Sequence, residues 1–344
     1  MQSNSGFGVY ERGGPMRAVS FERRDLLEHD VAVRTLFCGV CHSDLHAIND
    51  EQSTYPLVPG HEIVGEVIAV GTSVTAFASG DRVMIGTIID SCRVCDPCEA
   101  HIEQYCRRYP TTTYNGIDRI DGSRTKGGYS DGYVADERFV YHLPAGLDAA
   151  AAAPLLCAGI TTYSPLRAWE IGPGKTVGIV GIGGLGHLAI KFARAMGAHV
   201  VAFTTSEKKR QDAFRLGAHE VVLSTDSRAM DDQEWRFDFV LDTVSQAHRM
   251  TPYLDVLKLD GTLCSLGIPD AFEFDPLALT MGRRRLTSSG VGGTRETRDM
   301  LAFCSEHGIV ADVEVIAPEG IGEAFGRLAR ADVYYRFVLD MTRR

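Results

Sequence analysis

The sequence predicts an α/β protein in two parts, a small antiparallel β-barrel and a doubly wound parallel sheet with helices on both faces. Three observations carry this expectation. From about Val31 to Val140 short β-branched runs alternate with turn residues. From Lys175 onward strand-like and helix-like segments alternate instead. The first strand-to-helix joint of that second half is glycine-rich, "GIGGLG". At 344 residues the chain also exceeds the size at which one hydrophobic core usually stops growing, so two domains are expected.

In the first half the runs "VAVRTLFCGV", "IVGEVIAVG", "DRVMIG" and "FVYHLP" read as strands, because β-branched side chains fit a pleated surface and the intervening residues favour turns. In the second half "TVGIVG", "HVVAFTT", "EVVLS", "FDFVLDTV", "GTLCSLG" and "RLTSSGV" read as strands. The stretches "HLAIKFARAMG" and "SEKKRQDAFRLG" read as helices, so the order is that of βαβ units and a parallel sheet. After Gly290 come a helix, "RETRDMLAFCSEHG", a strand, "ADVEVIAP", a second helix, "IGEAFGRLARAD", and a last strand, "YRFVLDM". Those four could join either part.

Composition narrows the function classes. With 44% hydrophobic and 23% charged residues the chain is an ordinary globular protein, and a net charge of -10 opposes broad attraction to nucleic acid or an anionic membrane. Residues 1–25 hold no apolar core of signal-peptide length, and the Ala149 to Ala153 run meets Pro154 too soon to span a bilayer. The expected location is the cytoplasm.

Four of the nine cysteines fall in "SCRVCDPCEAHIEQYC". Thiols stay reduced in a cytosol, so Cys92, Cys95, Cys98 and Cys106 are expected to hold a metal rather than to pair. Four thiolates suit a closed, structural zinc site; disulfides, unligated cysteines or an iron–sulfur cluster are the alternatives. Such a lobe implies stability and names no reaction.

The joint Gly181-x-Gly183-x-x-Gly186 lies between an expected strand and an expected helix. Its glycines would allow the tight turn, admit a pyrophosphate and pack helix on strand. Where an NAD site offers an acid after the next strand, this chain has Thr204, Thr205 and Ser206, then Glu207, Lys208, Lys209 and Arg210. Hydroxyls followed by cations fit a 2′-phosphate, which points to NADP(H); a solvated helix start is the alternative. Elsewhere Cys41, His61 and Cys157 offer two thiolates and one imidazole, a catalytic zinc set that leaves one position open. On spacing alone Cys38 competes with Cys41.

These stretches together, "GVCHSDLH", "YPLVPGHEIVGEV", the cysteine lobe ending in "EQYC", "GGYSDGYV", "APLLCAGITTYSPL", "GIGGLGHLAIKFARAMG", "TTSEKKR" and "YRFVLD", strongly resemble the zinc-dependent medium-chain alcohol dehydrogenases. Within them the chain is similar to the cinnamyl alcohol dehydrogenase-like branch of NADP-dependent aldehyde reductases. The resemblance implies a GroES-like β-barrel catalytic domain, residues 1–156 and 293–344, and a Rossmann domain, residues 157–292. It implies two zinc ions per chain, one catalytic on Cys41, His61 and Cys157 and one structural on Cys92, Cys95, Cys98 and Cys106. Glu62 would lie beside the first metal and ligate it transiently, and Asp44 would orient the ligating histidine. Ser43 and His46 match the proton-relay positions, and Cys38 is not a ligand. The cofactor contacts implied are Thr161, Gly181, Gly183, Gly184, Leu185 and Gly186, with Thr204, Thr205, Ser206, Lys209 and Arg210 at the 2′-phosphate end. The activity implied is hydride transfer between NADP(H) and an alcohol/aldehyde pair, by a homodimer joined through its Rossmann sheets. "RRYPTTTYNG" lacks the tryptophan that lignin-pathway members carry near it, so aliphatic or aromatic aldehydes are expected rather than a dedicated cinnamyl substrate. An NAD-dependent polyol or primary-alcohol dehydrogenase and a non-catalytic NADPH-binding protein are the rival readings.

Overall fold

The computed structural model describes residues 2–330 and 332–343. The chain divides into two compact units, Met1–Cys157 with Gly292–Arg344, and Ala158–Val291.

In the first unit the organising element is the strand Asp30–Val40. Its residues are buried along nearly the whole length, as expected of a strand covered on both faces. It pairs antiparallel with Ile63–Val70, with Gly132–Asp136 and with Arg336–Asp340. Register shifts against Ile63–Val70, between Ala32 and Val33 and between Thr35 and Phe37, mark the bulges that bend such a strand. The resulting seven-stranded sheet runs from Val313–Ile316 at one edge to Val140–His142 at the other. Its core gathers Val31, Val33, Ile63, Val83, Tyr129, Phe337 and Leu339. The last strand pairs Phe337 with Val40 and Asp340 with Phe37, so the C-terminal segment packs with the barrel strands. Residues 1–25, to which the sequence assigns no element, form an antiparallel hairpin of Gln2–Gly8 and Arg17–Arg23.

The second unit is a six-stranded parallel sheet made of β1 (Thr176–Val180), β2 (His199–Thr204), β3 (Glu220–Leu223), β4 (Phe237–Asp242), β5 (Leu257–Ser265) and β6 (Arg285–Ser288). Its spatial order is β3-β2-β1-β4-β5-β6, the doubly wound order in which the switch lies at β1 and β4. Val177, Ile179, Val201, Phe203, Phe239 and Leu241 are fully buried, as parallel strands between helical layers require. The helix Gly186–Ala195 follows β1 and buries Leu188, Ala189, Ile190, Phe192 and Ala193 while leaving Arg194 exposed. That stripe is what holds it on the sheet.

Candidate active site

The thiol cluster of the lobe forms as the spacing predicts. Arg93 adopts a left-handed conformation with φ 63°. Its guanidinium reaches Asp90 at 2.9 Å and Asp136 at 3.0 Å, tying the turn to the sheet. Cys95 then caps the short helix Asp96–Glu99, and the chain returns to Cys106. Glu103 accepts from the backbone N–H and the hydroxyl of Thr294, at 2.8 and 2.9 Å, anchoring the lobe to the C-terminal segment. The four sulfurs lie within 4.8 Å of one another and all nine cysteines are free. Four zinc–sulfur bonds of about 2.3 Å in a tetrahedron set sulfurs about 3.8 Å apart. The 3.9 Å between Cys92 and Cys98 and the 3.4 Å between Cys95 and Cys98 straddle that value, so the donor set fits the ion.

A second group, Cys41, His61, Glu62 and Cys157, converges in the same unit with its donor atoms within 4.8 Å; Cys41, His61 and Glu62 are buried and Cys157 is half-buried. The strand Asp30–Val40 ends just before Cys41, which is the N-cap of the helix His42–Asn49. Asp44, three residues on, returns a carboxylate oxygen to the Cys41 N–H at 2.9 Å. Cys41 therefore sits at a helix start whose position is fixed by its own cap. The other Asp44 oxygen lies 3.2 Å from His61 Nδ1 and accepts from the Gly60 N–H at 3.2 Å, and the Tyr129 hydroxyl donates to Asp44 at 2.7 Å. With Nδ1 turned to the carboxylate, His61 presents Nε2 to the group. Cys41 and Cys157 bring their sulfurs to 3.8 Å, again the tetrahedral spacing. Bonded to each other through one proton, these thiols diverge: Cys157 rises and Cys41 falls toward thiolate.

Glu62 is wholly buried, and its Oε1 is held by the buried Arg336 guanidinium of the last strand. Burial raises its pKa to about 7 against the pull of Arg336. Oε1 also lies 3.8 Å from His61 Nε2, whereas Oε2 is an orphaned, buried carboxylate oxygen with no hydrogen-bond partner. Such an atom suits a cation. A Cβ at Gly39 would lie 1.9 Å from it, so only glycine admits the carboxylate there. Cys38 is not in the group: it is fully buried and its sulfur lies against the backbone of Gly60 and Gly128. Ser43 and His46 are exposed on the first turns of the helix His42–Asn49; Ser43 Oγ lies 3.5 Å from Cys41 Sγ, and the His46 ring lies 5.1 Å from that of His42.

In the second unit the glycine joint takes three different roles. Gly181 has φ 85° and makes the turn; a Cβ at Gly186 would lie 1.9 Å from the Gly181 carbonyl, so that glycine lets helix meet strand. A Cβ at Gly183 would meet no protein atom, which leaves room for a ligand. These are the demands of a pyrophosphate turn. Gly184 and Leu185 complete the turn before the helix, and Thr161 is buried in the helix Ala158–Ala168. At the end of β2, Thr204 is buried and its hydroxyl accepts from the Ser206 N–H at 3.1 Å, while Thr205 is exposed. Lys209 reaches back to the glycine turn, its ammonium 2.8 Å from the Ile182 carbonyl. Arg210 turns the other way, pairing with Glu207 at 2.6 Å and donating to the Val221 carbonyl.

Three partners escape the sequence reading: Arg336 on Glu62, Tyr129 on Asp44, and Tyr114, whose ring lies 5.7 Å from His61. "YRFVLD" and "GGYS" hold the first two, but no local spacing ties them to the site.

Residues 27–145 match the alcohol dehydrogenase GroES-like domain and residues 184–306 the zinc-binding dehydrogenase domain. The chain is 50% identical to aldehyde reductase YahK of Escherichia coli (strain K12) over 97% of each chain. It is 47% identical to NADP-dependent alcohol dehydrogenase C 1 of Mycolicibacterium smegmatis, over 99% of this chain and 98% of that one. Among solved structures, a cinnamyl alcohol dehydrogenase of Sorghum bicolor superposes with a TM-score of 0.96 at 41% identity, covering 99% of this chain and 98% of that one. The same enzyme type from Helicobacter pylori, complexed with NADP(H), superposes at 0.92 with 34% identity, covering 99% and 98%.

Proposed function

The chain belongs to the zinc-binding dehydrogenases with an alcohol dehydrogenase GroES-like domain, and from that premise we propose how its own residues carry out the family chemistry. It is a zinc-dependent, NADP-linked oxidoreductase of the alcohol dehydrogenase and aldehyde reductase class, acting on a small-molecule alcohol/aldehyde pair. The observation that carries the residue assignment is the convergence of Cys41, His61, Glu62 and Cys157, with one Glu62 oxygen left unpartnered in the interior.

Cys41, His61 and Cys157 would hold the catalytic zinc, and Cys92, Cys95, Cys98 and Cys106 the structural one. When bound, the catalytic ion supplies Lewis acidity to a carbonyl oxygen and NADPH supplies the hydride. Asp44 fixes the His61 ring so that Nε2 stays available as a donor. Glu62 would offer a carboxylate oxygen while ligands exchange, and Arg336 keeps that carboxylate in place. Ser43, next to Cys41, hands a proton to the substrate oxygen, since a hydroxyl can accept and donate at one position. His46, exposed on the same helix, restores that proton from solvent. In the second unit Gly181, Gly183 and Gly186 would form the turn that takes the pyrophosphate, and Ser206 and Lys209 would hold the 2′-phosphate.

Substrates are aliphatic or aromatic aldehydes, reduced to primary alcohols. The chain works as a homodimer: β6 pairs only with β5 among the described strands, and the nearby Ile268, Leu277 and Met281 are exposed large apolar side chains. No single helix among the described residues is long and apolar enough to cross a membrane. The cytoplasm, where thiols stay reduced, is the proposed compartment. NADPH oxidation with a panel of aliphatic, aromatic and terpenoid aldehydes, run beside elemental zinc analysis, tests the assignment. Two zinc ions per chain and aldehyde-dependent turnover support it; one zinc, or turnover that survives Cys41→Ala, overturns it.

A further inference from the structure

A cavity of about 530 Å³ opens in the second unit at the end of the sheet opposite the glycine turn. It lies where β1 and β2 begin, at Thr176 and His199, whereas a dinucleotide occupies the other end of such strands. Lys175, Arg194, His199 and His219 are among the residues that line it, together with Gly174 and Gly197, and no lining residue is acidic.

The wall is built rather than accidental. Gly217, left-handed with φ 114°, ends the helix Arg210–Leu216 and leaves space that the Arg194 stem fills; a Cβ there would lie 3.0 Å from Arg194 Cγ. So positioned, the Arg194 guanidinium faces His219 Nε2. His219 Nδ1 accepts from the Val200 N–H at 2.9 Å, which puts the proton of the neutral ring on Nε2. Two N–H donors therefore face each other with no acceptor between them. His199 stacks on His219 at 4.6 Å and directs its Nε2 to Glu220 at 2.7 Å. Glu220 is also paired with Arg236 at 2.8 Å, so its charge is already matched outside the cavity. Arg194 and Lys175 form no ion pair among the described residues. Partial burial, the Arg194 charge and the His199 ring push the His219 pKa down against the opposing pull of Glu220.

We propose that this cavity is a second ligand site, separate from the nucleotide site, for a compact, multiply charged oxyanion of the phosphate class. The two donors are in direct contact, so an oxygen that accepts from both must part the Arg194 and His219 side chains, which removes the donor–donor conflict, with Lys175 adding a point charge. A metal cation is disfavoured there by the same two cations.

The test is calorimetric titration of zinc-loaded, NADP⁺-saturated protein with sodium pyrophosphate at low ionic strength, with citrate as the carboxylate arm. The expected result is one pyrophosphate site per chain, weakened about tenfold or more by Arg194→Gln and by Lys175→Gln, because each removes a charge-assisted contact. Lys209→Ala, at the other end of the sheet, leaves it unchanged. Both exposed-site variants keep wild-type aldehyde turnover and melting temperature. Heat from zinc chelation is common to all these proteins and cancels in the comparison. No saturable pyrophosphate binding, equal affinity in Arg194→Gln, loss of binding in Lys209→Ala, or binding of citrate but not pyrophosphate overturns the proposal.

Discussion

His61 is held by Asp44: its Nδ1 lies 3.2 Å from the carboxylate, which in the same position also takes the Cys41 N–H. One buried acid thus sets both the cap that fixes the proposed thiol ligand and the face of the proposed imidazole ligand. Asp44→Asn can offer either an oxygen or an NH₂ group to Nδ1, and with the wrong one the ring turns or changes tautomer. Losing such an outer partner typically lowers metal affinity about 10–100-fold. Competition with a chromophoric chelator should show one of two zinc ions released more readily in Asp44→Asn, with the four-cysteine ion unaffected. Equal retention of both ions would contradict the role given to Asp44.

That dependence on Asp44 also explains what the sequence makes legible. The four-cysteine lobe is readable because its ligands fall within sixteen residues and a turn can close on itself. The parallel sheet is readable because strand and helix periods alternate, and the glycine turn because each glycine answers a backbone demand. Cys41, His61 and Cys157 are dispersed, and only the family resemblance, not spacing, separates Cys41 from Cys38. Arg336 and Tyr129 are beyond local reading, since an ion pair between residues 62 and 336 is set by which strands become neighbours. The hairpin at residues 2–23 is missed because its exposed strand Arg17–Arg23 buries only Val19 and so shows little apolar alternation.

Glu62 and Arg336 form a buried pair, and removing the acid leaves without compensation a guanidinium that cannot give up its proton. Breaking such a pair costs about 3–5 kcal/mol. Glu62→Gln should therefore lower stability by about that amount in denaturant titrations, and Arg336→Gln added to it should recover part of the loss. A drop below about 1 kcal/mol, as for an exposed pair, would mean that water reaches the site.

Cys157→Ala and Cys95→Ala should fail in different ways. Cys157 belongs to the group with an orphaned acid, so its loss should abolish turnover and leave NADPH binding and most of the stability intact. Cys95 belongs to a closed set that organises the lobe, and its loss should show first in the melting temperature. Identical melting temperatures and identical residual rates in the two variants would refute the division of roles.

Ser43→Ala should cost more than His46→Ala. Both are exposed, but Ser43 Oγ sits 3.5 Å from the Cys41 sulfur, whereas His46 lies a turn further along the helix with its ring against His42, where water can replace it. General acid–base help is typically worth about 10²–10⁴-fold, so the Ser43→Ala loss in kcat should fall in that range and the His46→Ala loss well below it. Two small and similar losses, measured across pH, would place the proton route elsewhere.

Cofactor choice should reside in Lys209 more than in Arg210, because Lys209 reaches the glycine turn while Arg210 is paired with Glu207. A hydrogen bond to a charged group contributes about 1.5–3 kcal/mol, so Lys209→Ala should weaken NADPH about 10–100-fold and barely touch NADH. Thr204→Asp goes further. Thr204 already accepts from the Ser206 N–H at the end of β2, so a carboxylate there inherits a donor, offers the acid that a ribose hydroxyl needs, and repels a 2′-phosphate. Its burial means that the substitution also lowers stability, which a melting curve separates from the kinetic effect. The ratio of kcat/KM for NADPH and NADH should fall in both variants, through loss of NADPH in the first and through gain of NADH as well in the second. A wild type that uses both cofactors equally, or a Lys209→Ala variant in which both rates fall together, would remove Lys209 from the 2′-phosphate site.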